Sequence, residues 1–388
     1  IYKKKLKVLL SLPNQAPSPT QAKLSQTSMP EKNQPMTREL TFAKAILEAT
    51  DQCMEKDDSV YIMGLGVPDP KGIFGTTLGL GDKYGPKRVL DMPVSENAMT
   101  GVAIGSAIQG LRPILTHQRI DFMLLSMDQI INNAAKWHYM FGGQASVPLV
   151  IRLIIGRGWG QGPQHSQSLQ ALFAHIPGLK VVMPFTPHDA KGLLISSIED
   201  NNPVIFIEHR WLHNLFGEVP EETYTVPIGK ARVSREGKDV TIVASSHMVL
   251  ESLKAAEFLS KKGVEAEVID LRTIRPLDEE TILKSVQKTG RLIVAEGANK
   301  FMNFSAEIVS VVSEKAFKEL KAPPARIGYP DFPTPTSWAL SNHYYPLSLD
   351  IINTAGEMFG LTRFNDEDLG INRNDPMDVP DKSFTGPF

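Results

Sequence analysis

The sequence predicts two consecutive α/β units, each built on a mainly parallel sheet with helices over both faces. Three observations point to this class. Short runs of apolar and β-branched residues recur at 60–63, 89–92, 113–115, 149–155, 180–183 and 204–207. Helix-period stretches lie between them, and continuous apolar strands separated by helices are those of a sheet covered on both sides. The pattern then breaks at 218–237, a charged stretch carrying Pro220 and Pro227, and restarts at Asp239.

Taken in order, residues 37–54 carry the helical period, with Leu40, Ala43, Ile46 and Leu47 near one face. A strand-like piece at 89–93 leads to an acid, Glu96, where the chain turns. The run 101–110 follows, and Gly101, Gly105 and Gly110 would let its backbone approach a neighbour closely. Three glycines make a poor helix in isolation, so that neighbour must supply its stability. Next come a strand at 112–116 and helices at 123–139 and 187–200. These bound a first domain at 37–217, with 218–238 as a linker. In the second unit, strands are expected at 240–245, 266–271, 291–295 and 326–329, and helices at 247–262, 279–289 and 304–320. They make a doubly wound domain over 239–360.

The ends differ from this body. Residues 1–30 hold five lysines and no acid, and 1–36 are expected to be a dispensable extension. Read instead as a transit segment, 1–35 would direct the chain to a mitochondrial matrix, although such segments are usually rich in arginine. Residues 361–388 read as a polar, surface-hugging or disordered tail.

Composition narrows the function. The chain has 388 residues, 42% of them hydrophobic, enough for two or three sizeable cores. A net charge of −2 with no basic stripe argues against nucleic acid as a partner. The single cysteine, Cys53, leaves no internal disulfide and no cysteine-based zinc site, which suits a reducing cytoplasm. No apolar run approaches the roughly 18 residues of a membrane helix. The second unit has Ser245-Ser246-His247 where a dinucleotide fingerprint would need glycines, and there is no P-loop.

Two stretches carry candidate chemistry. Glu96 precedes a small-residue helix in apolar surroundings. Either it favours the helix N-terminus as an acid behind Ser95, or it is a buried carboxyl suited to proton work. After the apolar strand at 149–155 comes a glycine-rich loop ending in Gly162-Pro163-Gln164-His165-Ser166-Gln167-Ser168. A strand C-terminal end is where α/β proteins place their sites, and His165 is suited to proton transfer near neutral pH. A structural hydrogen bond is the other role open to it.

Ordered motifs extend this. Ser95-Glu96-Asn97, Gly110-Leu111-Arg112-Pro113, Gln118-x-x-Asp121-Phe122, Asp128-Gln129-Ile130 and the His165 phrase occur in sequence. They are followed by Pro177-Gly178-Leu179-Lys180, Asp270-Leu271-Arg272-Thr273-Ile274-Arg275-Pro276, Ala295-Glu296-Gly297 and Asp331-x-Pro333-Thr334-Pro335. From about Leu40 to Gly360 the chain resembles the beta subunit of the thiamine-diphosphate-dependent first component of 2-oxo acid dehydrogenases, of the pyruvate, acetoin or branched-chain type. The resemblance implies a pyrimidine-binding transketolase-like parallel-sheet domain followed by a transketolase C-terminal-like α/β domain.

It also implies roles. Glu96 would hydrogen-bond the aminopyrimidine ring, and Phe122 and Gln118 would contact the cofactor. His165 would act on the substrate or acyl-transfer side. The family's Gly-Asp-Gly signature for diphosphate and Mg2+ is missing, since only Gly81-Asp82-Lys83 stands in its place. An alpha subunit would therefore supply that half in a two-alpha, two-beta heterotetramer, with a lipoyl-bearing acyltransferase receiving the acyl group. A structural K+ ion is a further family feature. The alternative activity is a two-subunit transketolase-like carboligase or a non-oxidative 2-oxo acid decarboxylase.

Departures cluster near the substrate. Thr116 replaces a common acid, Gly64-Leu65-Gly66-Val67 lacks the acids usual there, and Arg119 and Arg157 are gained. Arg119 and Arg157 are accordingly candidate contacts for an anionic substrate group.

Overall fold

The computed structural model describes residues 37–156 and 161–373. Strand β1 (Thr37–Thr41) opens it and pairs antiparallel with β8 (Phe216–Pro220). Helix α1 (Phe42–Lys56) starts where the Thr41 hydroxyl accepts the Lys44 N–H, so the helix expected from residue 37 begins five residues later.

The first sheet has seven strands in the order β12-β6-β7-β5-β4-β2-β3. These are β2 (Val60–Met63), β3 (Val89–Leu90), β4 (Arg112–His117), β5 (Val150–Ile155), β6 (Lys180–Val182), β7 (Val204–His209) and β12 (Thr273–Arg275). All neighbours are parallel except β12, which lies antiparallel on β6. Every residue of β2, β5 and β7 is buried, the mostly apolar runs together with Arg152 on β5 and Glu208 and His209 on β7.

The helices of this half are α2 (Leu80–Tyr84), α3 (Glu96–Ile108), α4 (Ile120–Met123), α5 (Ala135–Met140), α6 (Gln170–His175) and α7 (Pro187–Glu199). The continuous helix expected at 123–139 is instead broken. After α4 the chain makes a 3₁₀ turn at Leu124–Ser126, then a π turn at Gln129–Ala134, before α5. The close approach expected of α3 is local. A Cβ on Gly101 would lie 3.5 Å from Gln129 Oε1, whereas Gly105 faces open space and Gly110 supplies a left-handed turn at φ +94°.

The second sheet runs β14-β13-β10-β11-β9, parallel except for β9 (Arg232–Arg235) at its edge. The others are β10 (Val240–Ala244), β11 (Ala266–Asp270), β13 (Leu292–Asn299) and β14 (Ala325–Tyr329). Helices α8 (His247–Ser260), α9 (Glu279–Thr289), α10 (Phe304–Lys315), α11 (Trp338–Ser341), α12 (Ser348–Phe359) and α13 (Asp366–Leu369) complete the half. The expected linker at 218–238 is thus partly sheet, holding the end of β8 and all of β9.

The halves are bound together. Besides β12, Asp189 at the start of α7 pairs at 3.2 Å with both Arg232 and Arg272. Beyond residue 360 the described chain packs down, with Phe364 against Phe258 at 5.0 Å between ring centroids and Arg373 donating to Asn342 O at 2.6 Å. Among the described residues no helix is long and apolar enough to cross a membrane.

Candidate active site

Glu96, Phe122 and His165 follow the C-terminal ends of β3, β4 and β5, three parallel strands of one sheet. They therefore emerge on one edge, the edge at which α/β sheets bind ligands. Glu96 is the first residue of α3 and is 7% exposed. Ser95 makes no capping bond through its side chain, and the Glu96 carboxylate receives no hydrogen bond from a described residue. Its backbone carbonyl accepts the Thr100 hydroxyl at 2.8 Å. A buried acid at a helix N-terminus gains from the helix dipole, but its oxygens retain capacity for a ligand.

β4 ends at His117, whose ring burial pushes its pKa down to about 4 and keeps it neutral. Gln118 turns away from the strand and donates to Leu65 O at 3.2 Å, on the loop after β2. That loop is held from the other side by Asp91, which accepts the Gly66 N–H at 2.9 Å. Phe122, on α4, meets the imidazole of His165 edge to face, with centroids 5.4 Å apart.

The His165 loop leaves β5 at Gly156, in the left-handed region at φ +92°. A Cβ there would fall 2.7 Å from His209 Cε1, so a side chain is excluded both by conformation and by space. Downstream, Pro163–His165 form a 3₁₀ turn. The Ser166 hydroxyl donates to Gln161 O at 3.0 Å, and Gln167 Nε2 donates to Asp121 Oδ1 at 2.8 Å. Burial raises the Asp121 pKa, with the Gln167 bond acting against it. The second half also reaches the loop: a Cβ on Gly162 would meet Thr336 Oγ1 at 2.7 Å, and Thr334 Oγ1 donates to Ser166 O at 3.5 Å.

Arg119 is placed differently from expectation. It is 1% exposed, and its two terminal nitrogens donate to Gly156 O at 2.5 Å and Gln161 Oε1 at 2.6 Å. The guanidinium is engaged within the chain, and these contacts give no support to a role in holding a substrate anion. Arg157 lies outside the described residues.

Behind the site is a buried network that sequence reasoning missed. Arg152 on β5 pairs with Glu208 on β7 at 2.6 Å, both fully buried, and Arg152 also donates to Thr76 at 2.8 Å. Burial works against the Glu208 carboxylate, but Arg152 and His213 more than offset it and hold it near 2. The partners are more than 50 residues apart, and no local pattern announces them.

Comparison with known proteins bears on this arrangement. Residues 38–214 match the transketolase pyrimidine binding domain, and 229–351 match the transketolase C-terminal domain. The beta subunit of acetoin:2,6-dichlorophenolindophenol oxidoreductase from Cupriavidus necator is 48% identical over 330 residues, covering 82% of this chain and 97% of that protein. The mitochondrial pyruvate dehydrogenase E1 component subunit beta-2 of Oryza sativa subsp. japonica is 45% identical over 322 residues, covering 82% and 86%. This chain belongs to the beta subunits of the 2-oxo acid dehydrogenase first component. A solved split-gene transketolase, described as an inactive beta4 tetramer, shares the fold at TM-score 0.67 and 22% identity, covering 84% of this chain and 99% of that one.

The residues present fit one half of thiamine diphosphate. In this beta subunit a buried carboxylate that accepts from no described residue and a partly buried aromatic ring suit an aminopyrimidine. Gly81-Asp82-Lys83 forms part of α2, where Lys83 is tied to Asp51 at 2.8 Å. Among the described residues no cluster of three His, Cys, Asp or Glu side chains is arranged for a metal.

Proposed function

We propose that this beta subunit holds the aminopyrimidine half of thiamine diphosphate in an enzyme that decarboxylates a 2-oxo acid and passes the acyl group to lipoamide. The observation that carries the reading is Glu96: a buried acid, at a helix N-terminus on the ligand-binding edge, that forms no hydrogen bond to a described residue through its carboxylate. When bound, thiamine diphosphate supplies a nucleophilic carbon and an electron sink for breaking the bond beside the substrate carbonyl. Glu96 holds or shares a proton at the pyrimidine ring nitrogen. Phe122 offers the ring an apolar face, while Gln118 fixes the adjoining loop. His165, oriented by Phe122, moves a proton at the substrate oxygen.

An alpha subunit would bring the diphosphate and Mg2+ sites in a two-alpha, two-beta assembly, and a lipoyl-bearing acyltransferase would take the product. A K+ ion would be a structural addition. The setting would be the cytoplasm or a mitochondrial matrix.

A second reading has one specific support. The relative at 48% identity is named for acetoin, a hydroxyketone, instead of a 2-oxo acid. Both substrate classes give up a carbon–carbon bond next to an oxygen-bearing carbon. Turnover of pyruvate, branched 2-oxo acids and acetoin by the co-expressed alpha–beta pair, with an artificial electron acceptor, distinguishes them. Turnover confined to acetoin would replace the first reading, and carboligation without oxidation would replace both.

A further inference from the structure

We propose that Arg119 is a positioning residue for His165, acting by clamping the point where the loop leaves β5 to the turn that leads into the histidine. The inference rests on the proposed role of His165 but on contacts that stand independently of it. Arg119 lies between β4 and α4, and its two terminal nitrogens reach acceptors five residues apart, Gly156 O and Gln161 Oε1. One acceptor is the residue at which the loop leaves β5. The other is held to the His165 turn by the bond from the Ser166 hydroxyl to Gln161 O. A planar guanidinium can span two such acceptors, while an ammonium on one carbon cannot bridge them with fixed geometry.

The same short segment holds the loop at two further points. Asp121 accepts from Gln167 on the far side of the histidine, and the Phe122 ring meets His165 itself. Arg119, Asp121 and Phe122 thus fix the loop before, after and at His165. The guanidinium is in turn braced from below. Its carbon lies 5.7 Å from the centroid of Phe74, and the Gly156 backbone abuts His209. Burying a cation on two neutral acceptors costs stability, and a fixed geometry is the return that this arrangement offers.

The test uses the co-expressed alpha–beta complex, with Arg119→Met, Arg119→Lys and Gln161→Leu variants. Carbethoxylation of His165 by diethyl pyrocarbonate is followed by peptide mass spectrometry, with exposed His343 as internal standard. Arg119→Met should label several-fold faster at His165 and unchanged at His343. Its kcat should fall on the order of 10- to 100-fold, with KM for the oxo acid and the affinity for thiamine diphosphate near wild type. Gln161→Leu, which removes one anchor, should show a smaller change in the same direction. Arg119→Lys should recover part of the loss. Unchanged His165 labelling in both Arg119→Met and Gln161→Leu would overturn the proposal. So would a loss of thiamine diphosphate affinity in step with kcat. If the wild-type complex turns over no 2-oxo acid, the labelling arm still decides the positioning claim, and the failure belongs to the proposed activity.

Discussion

The Phe122 ring stands at 88° to the His165 imidazole, an edge-to-face contact between an α4 side chain and a loop 43 positions further along the chain. Such a pair contributes about 0.5–1.5 kcal/mol beyond its area burial. It also sets the direction in which the imidazole nitrogens point. Phe122→Leu keeps the apolar face but removes the ring, and it should lower kcat several-fold with a small loss of stability. Steady-state kinetics and thermal melting of the assembled enzyme check this.

Asp189 is 1% exposed and carries the contact between the halves through Arg232 and Arg272. Burial works against its carboxylate, but His188 and the two arginines hold it at about 2. Its folded pKa is below the unfolded value, so its contribution is present above pH ~4 and is lost as pH falls toward 2. Asp189→Asn should destabilise the protein by about 3 kcal/mol at neutral pH and flatten the acid limb of the stability curve. Denaturant titration between pH 2 and 6 measures both.

Glu296 has the opposite sign. Burial pushes its carboxyl up to about 8, although Ser305 donates a hydrogen bond to it. With the folded pKa raised, the stabilisation is full below pH ~4 and is lost as pH rises toward 8, at up to about 1.4 kcal/mol per pH unit. Glu296→Gln should remove that slope, and melting temperatures from pH 5 to 8 would show it. A Glu296→Gln variant whose stability falls with pH as steeply as wild type would contradict this assignment.

Cys53 is buried on α1, and burial raises its thiol to about 12. Iodoacetamide should therefore fail to modify the native chain at pH 7.5 and should react fully in denaturant.

How far all this was legible in the sequence follows from which forces are local. The central strands announce themselves because a strand buried on both faces is mostly apolar, as β5 and β7 are apart from Arg152, Glu208 and His209. The edge strands β1, β9 and β12 have no such signature. Arg232–Arg235 reads as charged linker because one side of an edge strand faces water. Glu96 and His165 were singled out through their motifs. Arg119 was recognised as unusual, but its partners within the chain were not legible, because a lone arginine near a cleft suggests an anion. Only the fold brings Gly156 O and Gln161 Oε1 within its reach. The π turn at Gln129–Ala134 was likewise hidden, since its residues keep a helical period.

The central claim is that Glu96 binds and activates a cofactor shared with an alpha subunit. Calorimetric titration of thiamine diphosphate with Mg2+ into the co-purified alpha–beta complex, in wild type and Glu96→Gln, tests it most directly when paired with turnover on the same samples. The account predicts saturable binding by the wild-type complex, none by the beta chain alone, and a Glu96→Gln complex whose turnover is on the order of 100-fold lower or worse. A Glu96→Gln complex that binds and turns over like wild type, or a wild-type complex that binds no thiamine diphosphate, would contradict it.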